Sequence, residues 1–168
     1  MRGARLRDAA RDQARRNDAV LIQVAVLIGL QASGKTTFYQ QRLAGTHAHV
    51  SKDNWPNAQR REHRQLALLT ELLTAQRNVA VDNTNPSIAD RRGLLAIARE
   101  YGAHTVAYWF PPDRDGSVAR NAARPPKTRV PDVGLYDTLK RLMGPHPAER
   151  FDAVYVVRFD GEGGFTVE

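Results

Sequence analysis

The segment Gly29–Thr36 contains the residues whose types and spacing most clearly indicate chemistry. It reads GLQASGKT and matches G-x-x-x-x-G-K-[ST] at every fixed position. Gly29 and Gly34 permit backbone conformations in which successive N–H groups converge on phosphate oxygens. Lys35 would reach the β- and γ-phosphates of ATP, and the Thr36 hydroxyl would ligate Mg²⁺. The predicted phosphate-binding residues are Gly29, Gln31, Ala32, Ser33, Gly34, Lys35, Thr36 and Thr37.

Two carboxylates come directly after predicted strands. Asp53 follows a strand predicted at 47–51, and Asp82 follows one predicted at 78–81. In open α/β sheets, ligands bind at the carboxyl ends of the strands. Asp53 is therefore a candidate general base for an attacking hydroxyl, and Asp82 could hold Mg²⁺ or position that hydroxyl. The alternatives are that Asp53 caps the next helix and that Asp82 belongs to a turn.

The hydrophobic pattern predicts the elements that must hold these residues. Residues 20–28 (VLIQVAVLI) form a nearly continuous β-branched run, which is typical of a strand buried on both faces of a parallel sheet. Further strands are predicted at 47–51, 78–81, 105–110 and 153–159, and helices at 35–44, 59–76, 86–101, 113–123 and 132–143. This alternation predicts an α/β fold of the P-loop NTPase class, a parallel sheet of about five strands flanked by helices. The last residues, DGEGG and FTVE, suggest a small terminal hairpin.

Composition narrows the class of protein. The 168 residues fit one domain, and the absence of cysteine excludes disulfides and thiolate metal sites. The longest apolar run, Val24 to Leu30, is far shorter than the roughly 18 residues of a membrane helix. Residues 1–18 are Arg-rich without an adjoining apolar signal core, so we expect a cytoplasmic protein with no membrane partner. The net charge of +7 favours a polyanionic partner such as nucleic acid, or reflects an Arg-rich composition alone.

Four segments together resemble the kinase domain of polynucleotide 5′-hydroxyl kinases. They are GLQASGKTT at 29–37, Ser51-Lys52-Asp53, VDNTNP at 81–86 with the following Arg91-Arg92, and ARNAAR at 119–124. The resemblance runs from about Val24 to Arg158. It implies ATP- and Mg²⁺-dependent transfer of the γ-phosphoryl group to the 5′-hydroxyl end of DNA or RNA, as in nucleic acid repair. A separate phosphatase or ligase chain would be a partner.

The resemblance also implies roles for individual residues. Asp53 would accept the proton of the attacking hydroxyl, and Asp82 and Asn83 would lie near the acceptor, with Asp82 and Thr36 at the metal. Arg120 and Arg124, four residues apart on one predicted helix face, would belong to a lid at about 113–130 over the ATP phosphates. There they would act with Lys35 on the transferring group. The alternative for the two arginines is a solvated basic helix.

The acceptor is less well specified than the nucleotide. A cluster of Arg60, Arg61, His63 and Arg64 could bind an acceptor phosphate or simply be a solvated helix end, and Trp55 could stack on a base or be core. Some members of the family have an arginine three residues after the catalytic aspartate, where this sequence has Pro56. A P-loop kinase for a sugar, antibiotic or other metabolite is therefore the alternative function. A non-enzymatic nucleotide-binding switch is disfavoured, because the sequence lacks an N-K-x-D motif for guanine.

The predicted domain organisation is simple. Residues 1–18 form a basic leader or helix, and residues 19–168 form one kinase domain that includes the lid.

Overall fold

The computed structural model describes residues 21–168, so the predicted leader at 1–18 lies outside the described residues. Six strands form one sheet: β1 (Gln23–Ile28), β2 (Ala48–Val50), β3 (Val79–Asp82), β4 (His104–Trp109), β5 (Ala153–Phe159) and β6 (Phe165–Val167). Their order is β2-β3-β1-β4-β5-β6. The first five strands are parallel, and β6 pairs antiparallel with β5. The structure thus confirms the α/β prediction, and β6 forms with β5 the terminal hairpin predicted from DGEGG and FTVE.

Five α-helices lie in the described part of the chain: α1 (Lys35–Phe38), α2 (Arg61–Thr74), α3 (Ile88–Glu100), α4 (Arg114–Ala122) and α5 (Asp132–Arg141). The predicted helix at 35–44 is only partly α-helical. After Phe38 it continues as a π-helix, Tyr39–Leu43, in which Ala44 N donates to the carbonyl of Tyr39. One-turn 3₁₀ helices occur at Lys52–Asn54 and Pro147–Glu149.

Strand β1 is buried on both faces, as its apolar run predicts. Val24, Val26 and Ile28 pack on the side covered by α2 and α3, together with Leu69, Leu73 and Leu94. Ala25 and Leu27 face the other side, where Phe38, Phe110, Val157 and Phe165 form the core. The central strand, whose carboxyl end leads into the phosphate loop, is therefore held rigidly by two apolar layers.

Helix α3 has the strongest local start signal. Ser87 accepts from Asp90 N at 3.1 Å, and the Asp90 carboxylate accepts from Ser87 N at 3.1 Å, which together form a capping box.

No helix within residues 21–168 is long and apolar enough to cross a membrane.

Candidate active site

The phosphate loop begins where β1 ends. Gly29 N donates to the carbonyl of Thr84, at 3.1 Å, so the loop is tied to the chain that follows β3. Two glycines are required by their surroundings. A Cβ on Gly29 would lie 2.8 Å from Phe110 Cβ, and Gly34 has φ +91° with a Cβ position 2.8 Å from Phe159 Cζ. The loop can therefore keep this path only with glycine at both positions.

Lys35 lies inside the loop and not in solvent. Its side chain is buried, and Nζ donates to the carbonyls of Gly29 (3.1 Å) and Leu30 (2.5 Å) and to Ser33 Oγ (3.2 Å). Burial lowers the pKa of Lys35 from 10.5 to about 8; nearby Asp82 opposes this shift and Arg124 adds to it. The ammonium group is thus held by oxygen acceptors at the place where a phosphate would compete for it.

Thr36 and Asp82 form the oxygen pair that the sequence predicted as the metal site. Thr36 Oγ1 donates to Asp82 Oδ2 at 2.7 Å, although the two residues are far apart in sequence. Asp82 is buried at the carboxyl end of β3, the strand that neighbours β1. A hydroxyl and a carboxylate at this spacing fit Mg²⁺, which is usually held by one or two carboxylates together with substrate phosphates and water. In residues 21–168, no cluster of three or more His, Cys, Asp or Glu side chains could hold a metal alone.

His49 joins this pair, a contact that the sequence does not predict. Its Nε2 lies 2.9 Å from the same Asp82 Oδ2, and its ring packs on Tyr39 with centroids 4.4 Å apart. Strand β2 pairs with β3, so His49 lies opposite Ala80 in register. Only the adjacency of these two strands reveals the contact, and no local sequence signal marks it.

Asp53 lies in the 3₁₀ turn that follows β2. Ser51 caps this turn by accepting from Asp53 N at 3.3 Å, and the Asp53 side chain is exposed. The alternative that Asp53 caps the next helix is wrong, because Arg60 occupies the N-cap position of α2. Burial lowers the pKa of Lys35, and the negative charge of Asp53 opposes this shift, less strongly than that of Asp82.

Asn83 connects the Asp53 turn to α2, and its role at the acceptor stays a prediction. Its Oδ1 accepts from Lys52 N at 2.8 Å, and its Nδ2 donates to Gln65 Oε1 at 2.5 Å. Both ends of the amide are thus used to connect the carboxyl ends of β2 and β3 with α2. Asn83 thus positions the residue next to Asp53.

Arg120 reaches the phosphate loop from α4. Its Nε donates to the carbonyl of Ala32 at 2.6 Å, and its guanidinium lies over the ring of Phe159 at 4.7 Å. It also forms an ion pair with Asp113 at 3.6 Å. A cleft opens beside this contact, lined by Ser33, Phe110, Pro111, Asp113, Ser117, Arg120, Val157, Arg158 and Phe159.

Arg124 lies just beyond α4. The prediction that Arg120 and Arg124 share a helix face is wrong, because α4 ends at Ala122 and Arg124 N closes a turn onto the carbonyl of Asn121. Arg124 is half-buried, and its positive charge adds to the effect of burial in lowering the pKa of Lys35.

The remaining predicted loop residues contribute unequally. The Gln31 side chain points to α5, where its Nε2 donates to Thr138 Oγ1 at 2.9 Å, so only its backbone is free to serve a phosphate. Ala32 has φ +55°, which turns the loop backbone. Thr37 is exposed on α1.

The fold and this loop define a P-loop NTPase with the fold of P-loop kinases. The AAA domain family matches residues 24–145, most of the chain, and the chain belongs to that family.

Solved structures with this fold include proteins of several activities. Kti12 from Chaetomium thermophilum, crystallised with ADP-AlF3, superposes with a TM-score of 0.63 at 17% identity over 82% of this chain and 89% of its own. A fungal RNA kinase gives a TM-score of 0.59 at 18% identity, over 84% of this chain and 76% of its own. A gluconokinase from Sinorhizobium meliloti gives 0.57 at 18% identity, over 82% of each chain. At these identities the likeness shows the fold alone.

Proposed function

We propose that this protein transfers the γ-phosphoryl group of ATP to the 5′-hydroxyl end of a nucleic acid. The observation that carries the proposal is the position of Asp53. It is an exposed carboxylate at the carboxyl end of β2, and its charge acts on the phosphate-loop lysine. A phosphate-binding loop alone would serve any nucleotide-binding protein, whereas a carboxylate that follows another parallel strand, at the same edge of the sheet, supplies a proton acceptor for a hydroxyl.

The nucleotide side of the reaction uses three groups of the chain. Lys35 would exchange the carbonyls of Gly29 and Leu30 for phosphate oxygens. Thr36 and Asp82 would hold Mg²⁺, which supplies positive charge to the phosphate oxygens as charge develops on them. The cleft beside the stacked Arg120 and Phe159 has the aromatic rings of Phe110 and Phe159 in its lining and would take the nucleobase.

In the transfer step, Asp53 would be the proton acceptor. The 5′-oxygen forms a bond to the γ-phosphorus while the bond from that phosphorus to the β–γ bridging oxygen breaks, which releases ADP. The proton of the hydroxyl passes to the Asp53 carboxylate. Arg120, which contacts the loop at the carbonyl of Ala32, and Arg124, as the predicted lid residues, would neutralise charge on the transferring group.

Charge supports a nucleic acid acceptor, since the chain carries a net +7. The alternative is a small hydroxylated metabolite, favoured by exposed Pro56, which stands where some polynucleotide kinases have an arginine. The likeness of fold to both the fungal RNA kinase and the gluconokinase is compatible with either acceptor.

The test is transfer of labelled γ-phosphate from ATP to short 5′-OH single-stranded RNA and DNA, with Mg²⁺. Oligonucleotides already phosphorylated at the 5′ end and the Lys35→Ala variant are the controls. Asp53→Asn should keep ATP binding and lose transfer, because the amide cannot take up the proton. A fully active Asp53→Asn protein would remove Asp53 from the mechanism. Absence of labelling by protein that binds ATP would favour the metabolite kinase.

A further inference from the structure

Basic residues gather beside the turn that carries Asp53. Arg60, Arg61, His63 and Arg64 are all exposed at the start of α2. Arg61 Nη1 donates to the carbonyl of Lys52 at 3.4 Å, and the Lys52 ammonium forms an ion pair with Glu62. These contacts place the start of α2 beside the residue that precedes Asp53.

Trp55 belongs to the same surface. It ends the 3₁₀ turn of Asp53, and the Arg64 guanidinium lies 4.9 Å from its ring centroid. The ring is only half-buried, so it is not a core residue. A stacked tryptophan and arginine beside a row of cations is the combination that binds single-stranded nucleic acid, because bases stack on rings and cations follow the backbone.

The charges of this surface do not cancel. Glu62 is paired with Lys52, which leaves Arg60, Arg61 and Arg64 as excess positive charge next to the proposed acceptor carboxylate. A neutral sugar would offer these arginines no counter-charge. An acceptor that continues as a phosphodiester chain would offer one for each nucleotide.

These arginines also oppose the local stability of the helix. The N-terminus of a helix carries partial positive charge, so cations in its first turn are unfavourable. Arg60 occupies the N-cap with φ +54° and makes no capping bond, whereas α3 has a complete capping box. Residues that are unfavourable for the start of a helix in this way are expected where function requires them.

We propose that Trp55, Arg60, Arg61 and Arg64, the α2 basic surface, bind the strand that leads away from the 5′-hydroxyl held at Asp53. The arginines would contact the first phosphodiesters, and Trp55 would stack on an unpaired base. The inference rests on the proposed function and adds to it that the acceptor is single-stranded and longer than one nucleotide.

The test compares the Arg61→Gln/Arg64→Gln variant with the wild-type protein on an unphosphorylated nucleoside, its 3′-phosphate, and a 5′-OH hexanucleotide. Arg77→Gln is the matched control, since it removes an exposed charge just beyond the other end of the same helix. We expect the KM for the hexanucleotide to rise about ten-fold for each arginine removed, with kcat unchanged. The KM for the nucleoside should not change, and the slope of log affinity against log salt should fall by about 1.4.

Two results would overturn the inference. One is an unchanged KM and salt slope for the hexanucleotide. The other is an equal loss on all three acceptors, which would mean that the arginines only support the Asp53 turn.

Direct binding separates this inference from the proposed function. Quenching of tryptophan fluorescence by the hexanucleotide, with Trp55→Leu to identify the responding ring, measures binding without catalysis. Binding that requires Arg61 and Arg64 in a protein that phosphorylates no oligonucleotide would uphold the surface and refute the polynucleotide kinase assignment. Failure of the wild-type protein to bind the hexanucleotide would refute the surface.

Discussion

We expect Arg91 to be the residue whose substitution most reduces the stability of the structure around the site. It is fully buried in α3 and donates to both carboxylate oxygens of Glu149, at 2.7 and 2.8 Å. It also donates to the carbonyls of Asn85 (2.8 Å), Met143 (3.0 Å) and Gly144 (3.3 Å). One side chain thus joins the loop after Asp82 to the segment that follows α5.

The expected magnitude follows from what Arg91→Met would leave behind. Glu149 would remain buried with one backbone bond, from His146 N at 2.9 Å, and without its counter-charge. Breaking a buried ion pair from one side costs about 3–5 kcal/mol. For a chain of this size each 1 kcal/mol lowers Tm by about 2–4 °C, so we expect a decrease of about 6–20 °C.

Urea denaturation at pH 7, monitored by tryptophan fluorescence, measures the free energy of unfolding. Arg92→Met is the control, because Arg92 is the exposed neighbour and should change the free energy of unfolding by no more than about 0.5 kcal/mol. The double variant Arg91→Met/Glu149→Leu should recover part of the loss, since it leaves no unpaired buried charge. An Arg91→Met variant within about 1 kcal/mol of wild type would refute the reasoning.

The same pair predicts acid sensitivity. Burial tends to raise the pKa of Glu149, but hydrogen bonds from Arg91 and from His146 N outweigh it and bring the pKa below its usual 4.5. A carboxyl with a lowered pKa stabilises the fold fully above its unfolded pKa and loses that contribution as the pH falls through the folded pKa. Wild-type stability should therefore decline below pH 4.5 more steeply than that of the double variant.

Three further predictions concern the nucleotide side of the site. Because burial lowers the pKa of Lys35 to about 8, ATP should bind with proton uptake and with falling affinity as the pH rises through about 8. Calorimetry in buffers of different ionisation enthalpy would show this, and an unchanged signal in Lys35→Met would contradict it. His49→Leu should weaken Mn²⁺ binding to the ATP-bound protein by about 10–100-fold, because the hydrogen bond to Asp82 is lost. His49→Gln should bind Mn²⁺ with an affinity closer to that of wild type, and equal effects of the two variants would contradict this role. Gly34→Ala should abolish binding of a fluorescent ATP analogue, since its φ is +91° and a Cβ would lie 2.8 Å from Phe159; retained affinity would show that the loop adapts.

Some features of this protein are determined by local sequence alone. The motif at Gly29–Thr36 requires no tertiary information, because its chemistry depends on residue types at short spacing. The strand predicted at 153–159 has those bounds in the structure, and α2 lies within its predicted range of 59–76. Hydrophobic periodicity reports the burial of a segment, and burial is what forms these elements.

Other features were decided only by the tertiary structure. The contact of His49 with Asp82 depends on β2 lying beside β3, and periodicity does not specify strand order. The sequence marks Arg91 only as part of a motif, yet the side chain is completely buried. Its burial cannot be predicted locally, because its partner Glu149 lies far along the chain. A pattern of apolar and polar residues determines which segments become strands or helices and which faces they bury, whereas contacts between distant polar side chains exist only once the sheet order brings them together.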